Sequence, residues 1–250
     1  MKKEKLVLPE SPKVKKTIFR GSPYYNLSVM KYLKKIYSKC ACVVIPKISN
    51  IDGDFDHTDV SLRWVQTSKN KGVFSIPDKF WKYFEECQKK RFVLFPFGFT
   101  CLNKLGHANY IIYDREMKSM ERFEPYGKAR RKCANPNNLD DRIKKLFNDK
   151  LSKDDKPFIE KYYKPLDYLP KKGPQRVQED EKEMNEEIDA PGGYCPAWSS
   201  FYVELRLLNP NTDRKKLIKK FYQEVENSKL SFTEFIRNYS QYLVEKTKNI

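Results

Sequence analysis

The chain has no apolar run that approaches a membrane span, and Met1-Lys2-Lys3-Glu4-Lys5 is followed by only Leu6-Val7-Leu8 before Pro9. A spanning helix needs about 20 apolar residues and a secretory signal a run of roughly 7–15. An intracellular, soluble protein without membrane contact is therefore expected. Glycine is scarce, 9 in 250 residues, and forms no phosphate-cradling loop. Histidine is scarcer, with His57 and His107 the only two. Six cysteines (Cys40, Cys42, Cys87, Cys101, Cys133 and Cys195) follow no repeating frame, and Cys40 and Cys42 lack partners at zinc spacing. A chain of this length needs no disulfide staples, which predicts free thiols in a reducing compartment. Asp52-Gly53-Asp54-Phe55-Asp56-His57-Thr58-Asp59 has the look of a Ca²⁺ loop. It carries His57 where a glycine is needed and Arg63 where a bidentate Glu belongs, so it reads as an acidic surface turn. No metal or cofactor is implied, and there is no internal repeat or long low-complexity tract.

What is present can build a core: 39% of residues are hydrophobic and 14% aromatic. Residues 1–20 read as a basic, proline-containing arm, and residues 21–250 as one domain. Helical spacing covers Leu27 to Tyr37, Pro77 to Cys87, the segment of Leu139, Ile143, Leu146 and Phe147, and two tail segments. One tail segment holds Leu217, Phe221 and Val225; the other starts at Ser231 with Glu234 completing a capping box. Cys40 to Ile45 and Arg91 to Phe95 read as strands. Strands lie centrally in sequence with helices on both sides, which argues an α+β fold. The formal net charge is +17, with clusters at Lys13–Lys16, Lys128–Lys132 and Arg214–Lys220. Such clusters admit a nucleic-acid partner through counterion release, or a lysine-rich solvated surface.

The sharpest local signal is Gly192-Gly193-Tyr194-Cys195-Pro196-Ala197-Trp198. Two glycines permit a tight entry turn, and Pro196 fits the first helical position. Trp198, Phe201, Tyr202, Leu205 and Leu208 recur at helical spacing until Asn209-Pro210. Cys195 is thus placed near the N-cap, where unpaired amides favour a thiolate. A small residue packed at a helix start is the plainer reading. A second segment changes the balance. Gly106 to Asp114 and Ser119 to Pro125 form two β-rich runs around a polar turn, a hairpin signal. A turn centred between Arg115 and Glu116 sets His107 opposite Glu124, close enough for a carboxylate to orient an imidazole.

The order His107, Glu124, Cys195 resembles the adenain and SUMO-protease-like cysteine peptidases. The wording His107-Ala108-Asn109, Glu121-Arg122-Phe123-Glu124-Pro125-Tyr126-Gly127, Gly173-Pro174-Gln175 and Gly193-Tyr194-Cys195-Pro196-Ala197-Trp198 looks most like members in large DNA viruses. The resemblance covers roughly residues 90 to 210. It implies a papain-like or adenain-like peptidase fold, with a central, mostly antiparallel sheet packed by helices. It implies a Cys195–His107–Glu124 triad acting without cofactor, with a glutamine as oxyanion donor, for which Gln175 is favoured and Gln178 is the alternative. Two positions depart from the family. Ala108 stands where an aromatic often follows the histidine, and Asp189 where the oxyanion glutamine usually stands. The acidic run Glu179 to Asp189 reads as an inserted loop, either a flap over the cleft or a solvated segment.

The resemblance further implies a protein substrate, either a viral precursor or a ubiquitin-like-protein conjugate, cleaved by a monomer in host cytoplasm or virion. The alternatives are an acyltransferase using the same triad, and an inactive peptidase-fold protein that binds a ubiquitin-like protein or nucleic acid.

Overall fold

A computed structural model describes residues 7–9, 23–44, 61–68, 71–102, 106–128, 138–181 and 194–248. Most of the basic arm, the acidic turn at Asp52–Asp59, Cys133, Asp189 and Gly192-Gly193 lie outside the described residues. So do Lys13–Lys16 and residues 129–132 of the second basic cluster.

The described strands form one seven-stranded sheet. They are β1 (Ala41–Val43), β2 (Leu62–Ser68), β3 (Lys71–Ser75), β4 (Phe92–Thr100), β5 (Gly106–Asp114), β6 (Ser119–Phe123) and β7 (Lys161–Tyr163). The main path is β3-β2-β4-β5-β6-β7, with β1 pairing β4 beside it. The longest ladders, β4 with β5, β5 with β6 and β2 with β3, are antiparallel. The shorter ones, β1 and β2 with β4 and β6 with β7, are parallel. The sheet is therefore mostly antiparallel, as expected.

Strand β4 shows why its sequence reads as an almost continuous apolar run. Phe92 and Leu94 enter one core, while Val93, Phe95, Phe97 and Phe99 enter the other. A strand covered on both faces needs apolar side chains at both phases of the pleat. Pro96 cannot donate a ladder bond. It falls between the β1 register, which ends at Leu94, and the β2 register, which starts at Phe97. The run identified from sequence as Arg91 to Phe95 thus continues to Thr100, because a second parallel partner takes over after the proline.

Helices α1 (Pro23–Ile36), α6 (Tyr194–Leu208), α7 (Arg214–Asn227) and α8 (Phe232–Thr247) cover the first face. Helices α2 (Phe80–Cys87) and α3 (Leu139–Leu151) cover the second. Two short helices, α4 (Pro165–Tyr168) and α5 (Pro174–Asp180), connect the sheet to α6. Helix α2 opens at Phe80 rather than at Pro77, whose carbonyl instead accepts the Phe80 N–H. The Ser231/Glu234 capping box of α8 is present.

Helix α6 is buried from Tyr194 to Leu207. Its interior polar groups consequently need partners. The Glu204 carboxylate accepts from the hydroxyls of Tyr239 (2.7 Å), Tyr37 (2.8 Å) and Tyr32 (3.1 Å). Arg206 Nε donates to Glu121 at 3.1 Å, and Ser199 Oγ donates to the Ala108 carbonyl at 3.3 Å. That last bond ties the helix of Cys195 to the strand of His107. The helix starts at Tyr194, so Cys195 is its second residue and Pro196 its third, two positions deeper than the proline rule suggested.

The expectation of free cysteines is corrected. Cys42 and Cys87 form a disulfide with a Cα–Cα separation of 5.2 Å, and Cys101 is disulfide-bonded as well. The pairing of β1 with β4 and the packing of α2 on the same face bring Cys42 and Cys87 together, across a sequence separation of 45 that carries no motif. Closing a loop of this size stabilises by roughly 2–4 kcal/mol in the chain-entropy account. Reduction should therefore lower the melting temperature by roughly 5–15 °C, measured by calorimetry with and without reductant. An unmoved melting temperature with both thiols alkylated in the untreated native protein would show that the bridge does not form.

Candidate active site

Strand β5 and the residues after β6 position the first two groups. The observed register pairs Tyr110 with Phe123 and Asp114 with Ser119, so the turn centres between Glu116 and Met117. This corrects the sequence register by two residues. Glu124 follows β6 and falls level with Asn109, not with His107. A shift of two keeps every side chain on the same face, and His107 becomes the diagonal neighbour of Glu124, still within reach. The His107 Nε2–Glu124 Oε1 distance is 2.8 Å.

A carboxylate can only accept, so Nε2 carries a proton and Nδ1 is the ring nitrogen left for another partner. Cys195 stands close enough to the same imidazole to contribute to raising its pKa. It is an unpaired cysteine, 9% exposed, in the first turn of α6. Backbone N–H groups there have no intrahelical acceptor. The ring itself lies between Phe99 and Tyr126, with centroid distances of 5.6 Å and 5.3 Å. These two supply the aromatic packing that Ala108 cannot. Burial alone pulls the His107 pKa down, but the Glu124 charge and the hydrogen bonds of Cys195 and Glu124 outweigh it and push the value up to about 10. The imidazolium is the favoured form.

Glu124 is buried and fully engaged. Oε1 also accepts from the Tyr126 backbone N–H at 3.1 Å, and Oε2 accepts from Asn109 Nδ2 at 3.3 Å and lies 3.5 Å from Arg122 Nη1. Arg122 in turn holds Asp140 on α3 with two bonds, at 2.8 Å and 2.9 Å, and donates to Asn109 Oδ1 at 2.7 Å. Burial pulls the Arg122 pKa down, yet the Asp140 charge and hydrogen bond carry it above the ordinary guanidinium value. Asn109, Arg122 and Asp140 were missed from sequence. The available signal was an arginine alternating with Glu124 inside a strand whose every residue is buried. A buried charge of that kind needs an opposite partner.

Gln175 and Gln178 have separate fates. Gln178 Oε1 accepts from Trp198 Nε1 at 3.3 Å, so its amide serves the core beneath α6. Gln175 Nε2 donates to Tyr126 Oη at 2.8 Å, on the side of α5 that meets the residue packed on His107. The segment carrying Gln175 is clamped to the turn after Glu124. Gly173 N–H donates to Tyr126 O (2.9 Å), Gln175 N–H to Pro125 O (3.0 Å) and Lys128 N–H to Pro170 O (2.9 Å). The two backbones cross so closely that a Cβ on Gly173 would stand 2.3 Å from Gly127 N and from Pro125 O. Gly127, at φ +79°, is also in the region that favours glycine.

The other sequence candidates lie elsewhere. Arg214, which opens the third basic cluster, is buried against Glu121, while Lys215, Lys216 and Lys219 are exposed. Within the acidic run, Glu179 accepts from Tyr126 Oη, and Asp180 pairs with Lys172 and Arg176. Glu181 caps the Phe232 and Thr233 amides at the start of α8. Glu179 and Glu181 are structural ties, Asp180 forms surface pairs, and the rest of the acidic run, residues 182–189, lies outside the described residues. Among the described residues no cluster could hold a metal ion, and no helix is long and apolar enough to cross a membrane.

No protein-family model matches the chain. A curated relative, the putative ankyrin repeat protein L371 of Acanthamoeba polyphaga mimivirus, is 31% identical over an alignment of 243 positions that covers 91% of this chain and 32% of the relative. The chain thus spans about a third of that relative's length. Among solved structures, ChlaDub1 from Chlamydia trachomatis is 9% identical with a TM-score of 0.48, covering 96% of this chain and 97% of that one. The Chlamydia trachomatis effector protein Cdu1, solved bound to ubiquitin, is 10% identical with a TM-score of 0.44, covering 92% and 93%.

The raised pKa gives a pH signature. A group lifted from 6.5 to about 10 on folding contributes stability that is fully present below pH 6.5 and lost as pH rises through about 10. With only two histidines, removing His57 isolates the His107 ring signals for an NMR titration. The midpoint should lie near 10 and fall in Glu124→Gln, which deletes the raising charge. A midpoint near 6.5 in the native protein would contradict the pairing.

Proposed function

We propose that the chain is a cysteine peptidase with Cys195 as nucleophile, His107 as base and then acid, and Glu124 as the group that orients and charges the imidazole. The observation that carries this reading is the buried His107–Glu124 pair at 2.8 Å, with Cys195 near enough to the imidazole to help raise its pKa. It is joined by the resemblance of the surrounding residues to adenain and SUMO-protease-like peptidases. The reaction starts with the Cys195 proton already resident on His107 Nδ1, a thiolate beside the imidazolium, and Sγ attacks the carbonyl carbon of the scissile peptide. The oxyanion takes hydrogen bonds from the Cys195 backbone N–H and Gln175 Nε2. His107 then protonates the leaving nitrogen, which departs as an amine and leaves a thioester on Cys195. Water attacks the thioester as His107 takes its proton, and the acid is released with the thiol restored. An oxyanion donor is typically worth about 3–4 kcal/mol.

The substrate in this reading is a protein chain, either a precursor to be matured or a conjugate of a ubiquitin-like protein. The two classes separate on paired reporters, a ubiquitin-like protein fused through its C-terminus and a precursor peptide of comparable length. An acyltransferase would leave an acylated product without releasing peptide. A binding protein of the same fold would retain the reporter uncut.

Cys195→Ala and His107→Ala should each lower reporter cleavage by at least about a thousandfold, and the double variant should be no worse than either. The melting temperature of Cys195→Ala should stay near that of the unaltered protein, while that of His107→Ala should fall, because a donor is stripped from the buried Glu124 carboxylate. Glu124→Gln should be milder, because a neutral amide still accepts from Nε2–H but stabilises the imidazolium less. Retained cleavage in Cys195→Ala would refute the nucleophile assignment.

A further inference from the structure

We propose that Tyr126 is a positioning residue that sets which end of the Gln175 amide faces the reacting carbonyl, an inference that rests on the peptidase reading. The argument is one of proton counting. The Tyr126 hydroxyl has a single proton. It donates that proton to Glu179 Oε1 at 2.5 Å, and a carboxylate offers only acceptors. Toward Gln175, 2.8 Å away, Tyr126 Oη therefore presents lone pairs. The amide must meet it with an N–H, and the reversed amide would set two acceptors face to face. Nε2 is fixed by its first proton and keeps a second for an oxyanion.

Gln175 is 5% exposed, and its Oε1 is a buried acceptor with no hydrogen-bond partner. A buried amide left half-satisfied is costly, so the orientation is imposed by its surroundings. The same tyrosine packs its ring on His107 and donates its backbone N–H to Glu124. One residue thus references the base, the acid and the oxyanion donor to each other. Glu179 acts at one remove, by claiming the hydroxyl proton. Without it, Tyr126 can donate to Gln175 Oε1 and the amide is free to reverse.

Tyr126→Phe keeps the ring on His107 and deletes only the hydroxyl. It should lower kcat about tenfold with KM within about twofold, less than loss of an oxyanion donor outright. Affinity for a peptide aldehyde, whose hemithioacetal oxygen takes the oxyanion position, should fall by the same factor. Alkylation of Cys195 by iodoacetamide, which forms no oxyanion, should be unchanged. In a Gln175→Ala background the further effect of Tyr126→Phe should vanish. Glu179→Ala should reproduce part of the loss. Full kcat and aldehyde affinity in Tyr126→Phe, or an effect that persists undiminished without Gln175, would overturn the proposal while the peptidase reading stands. The Gln175 side-chain NH₂ signals supply a readout that needs no turnover. One proton should be protected from exchange in the native protein and lose that protection in Tyr126→Phe. Protection lost without any cleavage by the native protein would leave the positioning contact intact and remove the peptidase reading. Equal exchange in both proteins would remove the contact itself.

Discussion

A carboxylate sealed from water at the end of strand β6 is the constraint around which the candidate site is organised. Glu124 has a side-chain exposure of 1%, and a buried charge is tolerated only where donors surround it. Those donors come from four places: the His107 ring, the Asn109 amide, the Tyr126 backbone and the Arg122 guanidinium. Each fixes something else. Asn109 and His107 lock the phase of β5, Arg122 reaches across to Asp140 and so seats α3, and Tyr126 sets the turn out of the strand. The charges alternate along the chain Asp140, Arg122, Glu124, His107. That alternation is the physical reason the imidazole holds its proton despite burial.

The turn after Glu124 transmits this order to the next layer. Close crossing of Gly127 and Gly173, with three backbone bonds between the two segments, leaves α5 little freedom to move relative to β6. Helix α5 then meets α6 through Gln178 and Trp198, and α6 meets β5 through Ser199 and Ala108. The loop from acid to glutamine to cysteine to histidine is closed by hydrogen bonds, several of them buried. A site assembled from three distant stretches of sequence gains its precision from such closure rather than from any one element.

The sequence made some of this legible and hid the rest for identifiable reasons. The helix of Cys195 announced itself through apolar spacing, and the α8 cap through Ser231 and Glu234, because both are local patterns. The hairpin was legible, but its register was misplaced by two, since Arg115 to Lys118 all read as turn formers and only the bonded ladder decides among them. Pairing across the sheet is not a local property. Strands β2, β3 and β7 gave no warning, being short or half-exposed. The Cys42–Cys87 bridge was invisible for the same reason, since β1 and α2 meet only after the sheet is built. Helix α5 had a usable sign in Pro174 at its first position. Glu179 and Glu181 looked like solvated charge, yet each is spent on a partner distant in sequence, Tyr126 for one and the start of α8 for the other.

The claim that Glu124, His107 and Cys195 act as one unit is tested most directly by mass spectrometry of the native protein after brief exposure to a substrate-derived, thiol-directed electrophile. One adduct on Cys195 is predicted, with Cys40 unmodified and the labelling rate reduced together in His107→Ala and Glu124→Gln. Labelling of Cys40 at a comparable rate, or labelling of Cys195 that ignores both substitutions, would contradict it.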